Sequence, residues 1–189
     1  QRIEILHELA VGLKELHQID PVEIADDWAE FVDDRASTFI ERQIDSGVNP
    51  QVIEALPGFI EEHLPTIPFA PTVFLHGDLH FGNIRFNNVS GHLSIAGLFD
   101  FADSRRGFHE YDLLAVGVLM IQGERELQRE FLRAYGYREE ELNDELRHRL
   151  MMFTMLYETS DLRRYALRLS PEAVDFPLER LMNGIWSFV

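Results

Sequence analysis

Strand-like alternation is confined to one stretch of this chain, residues 72–98, and apolar residues at three- and four-residue steps occupy both sides of it. A chain patterned in this way folds as a mainly helical α+β body with one small ribbon, and it has too few strands for a large sheet. Thr72-Val73-Phe74-Leu75, Ile84-Arg85-Phe86 and residues 93–98 are the strand segments. Asn87-Asn88-Val89-Ser90-Gly91 supplies turn residues between the last two, so a β-hairpin is expected. Pro65, Pro68 and Pro71 lead into it as a stiff extended connection that no helix tolerates.

Ile3, Leu6, Leu9, Ala10, Leu13 and Leu16 predict an amphipathic helix ending near His17, and Asp20-Pro21 breaks the pattern. Trp28, Phe31, Val32, Phe39, Ile40 and Ile44 predict a second helix to about Ser46, with Gly47 as its stop. After Asn49-Pro50 a short helix is expected to be interrupted at Pro57-Gly58 and to resume from Phe59 to His63. Beyond the ribbon, Leu113 to Met120, Leu127 to Leu132 and Leu142 to Leu156 carry helical spacing. Two further helical pieces occupy residues 160–169 and 177–188, and Ser170-Pro171-Glu172 reads as a helix start. Without repeats or linkers, 189 residues of which 46% are hydrophobic predict a single domain over 1–189.

Two carboxylates and an amide mark the chemistry. Asp78, Asn83 and Asp100 stand at or just after short apolar runs, where strands end and side chains can converge on an ion. His76-Gly77-Asp78 followed by Asn83 has the Asp-x4-Asn spacing of a kinase catalytic loop, and Asp100-Phe101 stands where a kinase carries its metal-binding Asp-Phe-Gly. Phosphoryl transfer needs in-line geometry and cations on the phosphates more than covalent help, and Asn83 and Asp100 are hard oxygen ligands suited to Mg2+. The charge of -16, from 33 acidic and 17 basic residues, argues against a nucleic-acid partner and for cationic or neutral small molecules. No cysteine is present, which fits a reducing compartment. The apolar runs are far shorter than the roughly 20 residues of a membrane span and no signal peptide opens the chain, so no membrane partner and a cytoplasmic location are expected.

The octet His76-Gly77-Asp78-Leu79-His80-Phe81-Gly82-Asn83 resembles the catalytic loop of the aminoglycoside phosphotransferase and choline kinase-like family. Phe99-Asp100-Phe101 resembles that family's metal-binding segment, and Gly107-Phe108-His109-Glu110-Tyr111-Asp112-Leu113 its following stretch, with Phe81 and His109 in place of prolines. The resemblance runs from about residue 6 to residue 113. It implies the C-terminal lobe of a protein kinase-like fold, the hairpin carrying the catalytic and metal-binding loops. It also implies an ATP-dependent O-phosphotransferase for a small hydroxyl-bearing acceptor such as an aminoglycoside, choline, homoserine or a sugar. Asp78 is then the catalytic base, and Asn83 and Asp100 hold Mg2+ and with it the nucleotide. His76, His80 and Asp112 support the loop, and Glu158 and Asp161 line an acidic pocket for an amine-bearing substrate. A complete enzyme of this kind needs a Gly-rich loop and a strand lysine. Lys14, the one lysine, lies on a helix pattern, so the N-terminal nucleotide lobe is expected to be a missing partner of this chain, which by itself is expected to be inactive.

Two rival classes compete. His76, Asp78 and His80 alternate along an extended segment and could hold zinc or manganese in a metal-dependent hydrolase, though Asn83 and Asp100 are then left without a role. A non-catalytic kinase-like binding module is the other, and the intact Asp78, Asn83 and Asp100 argue against it. The clusters at Arg147, Arg149, Arg163, Arg164 and Arg168 read as solvated helix faces.

Overall fold

The computed structural model describes residues 1–20, 24, 25 and 27–189, so Pro21 lies outside the described residues. Among them the chain forms eight α-helices and four strands. Helix α1 (Arg2–Leu16) buries the Leu6, Leu9, Ala10 and Leu13 face that its spacing predicts. It lies across the ribbon, where Glu8 Oε2 accepts the Ile95 N–H at 2.8 Å and so occupies an outer strand edge. Helix α2 (Trp28–Asp45) follows, and Gly47 just beyond it takes φ 72.

Helix α3 (Pro50–His63) starts on Asn49, whose side chain accepts from the Gln51 N–H, with Pro50 in the first turn. It corrects one expectation, because the helix runs through Pro57 without a break. Pro57 and Gly58 both face water, so the carbonyl that loses its partner can be hydrated, while Val52 and Leu56 anchor the opposite face in the core.

Two antiparallel pairs make up the strands. β1 (Val73–Leu75) pairs with β4 (Arg105–Gly107), which carries no alternation of its own and was not legible in the sequence. β2 (Ile84–Val89) pairs with β3 (His92–Leu98), with a register shift at Arg85/Phe86. The predicted five-residue turn tightens to Ser90-Gly91, both at positive φ, as the twist of a two-residue hairpin requires. Asn88 Oδ1 caps the turn by accepting the Gly91 N–H at 3.0 Å.

Helix α4 (Glu110–Ala115) is buried along its whole length and continues into a π-helical turn, Val116–Ile121. α5 (Arg125–Tyr135), α6 (Asp144–Leu156), α7 (Leu162–Leu169) and α8 (Leu178–Ile185) complete the body. The core lies between α2, α4 and α6, where the rings of Trp28, Phe31, Tyr111 and Phe153 meet edge-on, tilted or stacked. Two buried glutamines fasten irregular backbone to this core. Gln43 donates to the Ser160 carbonyl and accepts the Leu162 N–H, and Gln128 does the same for Ile185 and Ser187. No helix among the described residues is long and apolar enough to cross a membrane.

Gly117 lies under the indole of Trp186, where an added Cβ would stand 2.2 Å from Cη2. Trp186 is itself tied down by its Nε1–H donating to Thr154 Oγ1 at 3.0 Å. Gly117→Ala is therefore expected to cost about 1–3 kcal/mol in urea denaturation, the usual penalty of overpacking a dense core.

Candidate active site

The loop after β1 is held from behind by one carboxylate. Asp112, in the first turn of α4, accepts the backbone N–H of His76 at 2.8 Å and that of Gly77 at 3.0 Å. His17 Nε2 adds a third bond at 3.1 Å, and His17 Nδ1 takes the Tyr135 hydroxyl at 2.7 Å. Burial, with the charges of Asp112 and Glu110, pushes the Tyr135 hydroxyl above its ordinary range, so it remains a donor to His17. Gly77 sits at φ 85, and a Cβ there would lie 2.1 Å from the Asp103 carbonyl oxygen, so only glycine fits this turn.

His76 is fully buried and spans the two halves of the site. Its Nε2 meets the Phe99 carbonyl at 3.0 Å, and Nδ1 accepts the Asp78 N–H at 3.4 Å. Both ring nitrogens are thus committed to protein groups, and a His76/Asp78/His80 metal centre does not form. Among the described residues, no group of three His, Cys, Asp or Glu side chains is arranged to hold a metal.

Asp78 emerges half-buried. Tyr157 donates to Oδ1 at 2.6 Å, and Asn83 Nδ2 reaches Oδ2 at 3.3 Å and the Asp78 carbonyl at 2.9 Å. His80 Nε2 stands 3.4 Å from Oδ2, while its Nδ1 accepts the Gly82 N–H and starts a 3₁₀ turn, Phe81–Asn83. Burial and the Asp78 carboxylate hold the Tyr157 hydroxyl well above the usual tyrosine range, which keeps it a donor. Tyr157 was missed in the sequence because it lies 79 residues from Asp78 with no local pattern around it.

The hairpin brings Asn83 and Asp100 to one end. Phe99 N–H donates to the Asn83 carbonyl at 3.1 Å, which places Asp100 one residue past that pair. Asp100 is exposed and holds φ 65, a left-handed conformation that Asp and Asn adopt more readily than other non-glycine residues. With its amide nitrogen committed to Asp78, Asn83 offers a cation its carbonyl oxygen. An amide oxygen and a carboxylate fit Mg2+, which commonly takes one or two protein oxygens and completes its shell with phosphates and water.

Beside Asp78 opens a pocket of about 420 Å³ walled by Phe81, Tyr157 and Tyr165, with Arg164 and Arg168 on its α7 side. Glu158 and Asp161 stand elsewhere in the bonding pattern. Glu158 is exposed and pairs with Arg35 at 3.2 Å, and Asp161 caps α7 by accepting the Arg164 N–H at 2.8 Å. The five arginines are not uniformly solvated as expected. Arg149 makes two bonds to the buried Glu110 carboxylate, because the α4 start lies directly against α6.

The model of the phosphotransferase enzyme family (APH) matches residues 1–151. The chain belongs to this family. The matched region contains His17, His76, Asp78, His80, Asn83, Asp100 and Asp112, whereas Tyr157 and all of α7 lie beyond it. Similar solved structures include the aminoglycoside phosphotransferase APH(2'')-Ib bound to ADP, at 19% identity and TM-score 0.48. The streptomycin–ATP–APH(2'')-IIa ternary complex is another, at 17% and 0.47. These matches cover 100% and 99% of this chain but 65% and 62% of those chains, so the chain spans under two thirds of their length. Comparison with curated proteins finds none that matches.

His109, where the family resemblance leads one to expect proline, is part of the same brace. Its Nε2 meets the Tyr137 hydroxyl at 2.9 Å, and Tyr137 donates to Glu110 Oε1 at 2.9 Å. Burial, then His17 and Arg149, lower its pKa from 6.5 to about 4. Between those values the unfolded chain binds a proton that the folded one does not, so stability should fall as pH drops through this window. Thermal melts of wild type and His109→Gln from pH 7 to about 4 check this, with a shallower decline expected for the variant. Asp112→Asn should lose about 1–3 kcal/mol in urea denaturation, because an amide group would be turned toward backbone donors.

Proposed function

We propose that this chain carries the catalytic residues of an ATP-dependent O-phosphotransferase acting on the hydroxyl of a small molecule. The observation that carries the reading is the Asp78 carboxylate, gripped by Tyr157 and Asn83 at the mouth of a pocket of about 420 Å³. Such a group is oriented before an acceptor arrives, and positioning is the larger part of what a phosphoryl-transfer enzyme must supply.

Asp78 orients the acceptor hydroxyl and takes its proton as the oxygen attacks the γ-phosphorus. The new bond joins acceptor oxygen to phosphorus, the bond to the β,γ-bridging oxygen breaks, and ADP leaves. Tyr157 and Asn83 keep the carboxylate aimed. Asn83 and Asp100 are the residues that would hold Mg2+, which when bound supplies positive charge to the phosphates. His76 keeps the Asp78 and Asp100 segments in fixed relation through its bonds to the Asp78 N–H and the Phe99 carbonyl. Asp112 and His17 act one step further back, on the loop backbone.

Lys14 has no part in this. It lies on α1 and lines a separate pocket with His109, Tyr135 and Tyr137. The lysine and phosphate-covering loop of a kinase-like clamp therefore belong, in this reading, to a nucleotide lobe outside the chain, and nucleotide should bind the chain alone weakly.

Asp78→Asn should lower kcat about 10²–10⁴-fold while the variant still folds by circular dichroism, as measured by ATP turnover with a hydroxyl-bearing acceptor in the protein with its nucleotide lobe. Turnover close to wild type would remove Asp78 from the base role. Asp100→Ala should abolish the Mg2+-dependent part of nucleotide binding in calorimetry, and binding that is unchanged would count against the metal assignment.

A further inference from the structure

The pocket beside Asp78 has a charge opposite to that of the molecule around it. The whole chain carries -16, yet the α7 wall presents Arg164 and Arg168, one helical turn apart on the same face. Neither forms an ion pair with a carboxylate among the described residues. Asp161, three residues before Arg164, is already bound to the Arg164 backbone N–H, and Glu172, four residues after Arg168, forms no ion pair with it. Arg168 makes only a long 3.5 Å bond to the Val118 carbonyl. Its pKa is lowered, first by burial and then by the nearby Arg164 charge. Two adjacent guanidinium groups in an acidic protein repel one another, and an anion between them would relieve that repulsion.

The rest of the pocket suits a compact polar molecule. Phe81, Tyr157 and Tyr165 give flat walls, Thr159 adds a hydroxyl, and Asp78 stands among the lining groups. Burial pushes the Tyr165 hydroxyl up to about 12, so it too is a neutral donor. A volume of about 420 Å³ is ample for a six-carbon compound.

We propose that the acceptor is an anionic hydroxyl compound, its carboxylate or phosphate held by Arg164 and Arg168 while its hydroxyl faces Asp78. This deepens the phosphotransferase reading and rests on it for the identity of the reacting group. It departs from the amine-bearing acceptor that an acidic composition suggests, because the charge of a whole molecule does not fix the charge of its pocket.

Gluconate, sorbitol and glucamine are six-carbon polyols that differ at one end, which is anionic, neutral or cationic. Calorimetric titration of the chain, without nucleotide, should show gluconate binding at least about tenfold more tightly than the other two. Sorbitol phosphate, titrated alongside, separates a phosphate preference from a carboxylate preference. Arg164→Gln and Arg168→Gln should each weaken the anion about tenfold, and Arg168→Lys should restore only part of the loss, because ammonium lacks the two-pronged geometry. Circular dichroism melts identify any variant that fails to fold, and the solvent-facing Arg164→Gln remains informative if Arg168→Gln does so.

Anions binding no better than sorbitol, or more weakly than glucamine, would overturn the proposal. So would arginine variants that leave gluconate binding untouched, since the arginines would then not hold the anion. The two readings fail separately in a transfer assay with labelled ATP, run in the protein with its nucleotide lobe. Tight, arginine-dependent anion binding without transfer leaves the pocket assignment standing and removes the phosphotransferase reading. Transfer to glucamine in preference to gluconate does the reverse.

Discussion

One carboxylate, that of Asp112, is what the arrangement of the site depends on. A strand that ends in a tight turn exposes backbone N–H groups with no ladder partner, and such groups are costly when buried. Asp112 accepts two of them together with a histidine proton, so the turn can sit inside the molecule and still be satisfied. With the turn fixed, Gly77 reverses the chain, Asp78 comes out toward the pocket, and His76 turns inward to meet Phe99. The ends of β1 and β3 are thereby locked together, with Asn83 bonded to Asp78 and Asp100 one residue past the Phe99–Asn83 pair.

Behind that carboxylate lies a double line of aromatic and charged side chains. His17, just past the end of α1, reaches Asp112 and is itself held by Tyr135 of α5, while Tyr137 and Arg149 reach Glu110, two residues earlier on α4. Glu110 and Asp112 are both buried, and each accepts several hydrogen bonds. Buried acids rarely persist without such partners. The brace therefore ties the order of the loop to the packing of helices distant in sequence.

The tight loop after β1, the ribbon and most of the helices were legible because each is encoded locally. The Asp-x4-Asn spacing, the period of the apolar residues and the presence of turn residues before Gly91, though not the turn's length, need only a few neighbouring residues to be read. What escaped depends on contacts made at long range. β4 exists only as the partner of β1, and Pro57 is tolerated only because its side of α3 faces water. Tyr157 gains its role from a carboxylate that sequence spacing cannot bring near it, and the two arginines of α7 look like any solvated basic face until the pocket beside them is seen.

Gln43 joins these observations. Buried in α2, it fixes the backbone at Ser160 and Leu162, and so anchors both the segment that presents Tyr157 and the start of α7. In the proposed reading, the loop that carries Asp78 hangs from Asp112, whereas the α7 wall of the pocket hangs from Gln43. Rewriting the α7 wall could retune molecular appetite while leaving the phosphate chemistry intact, a division of labour by which one scaffold can diversify.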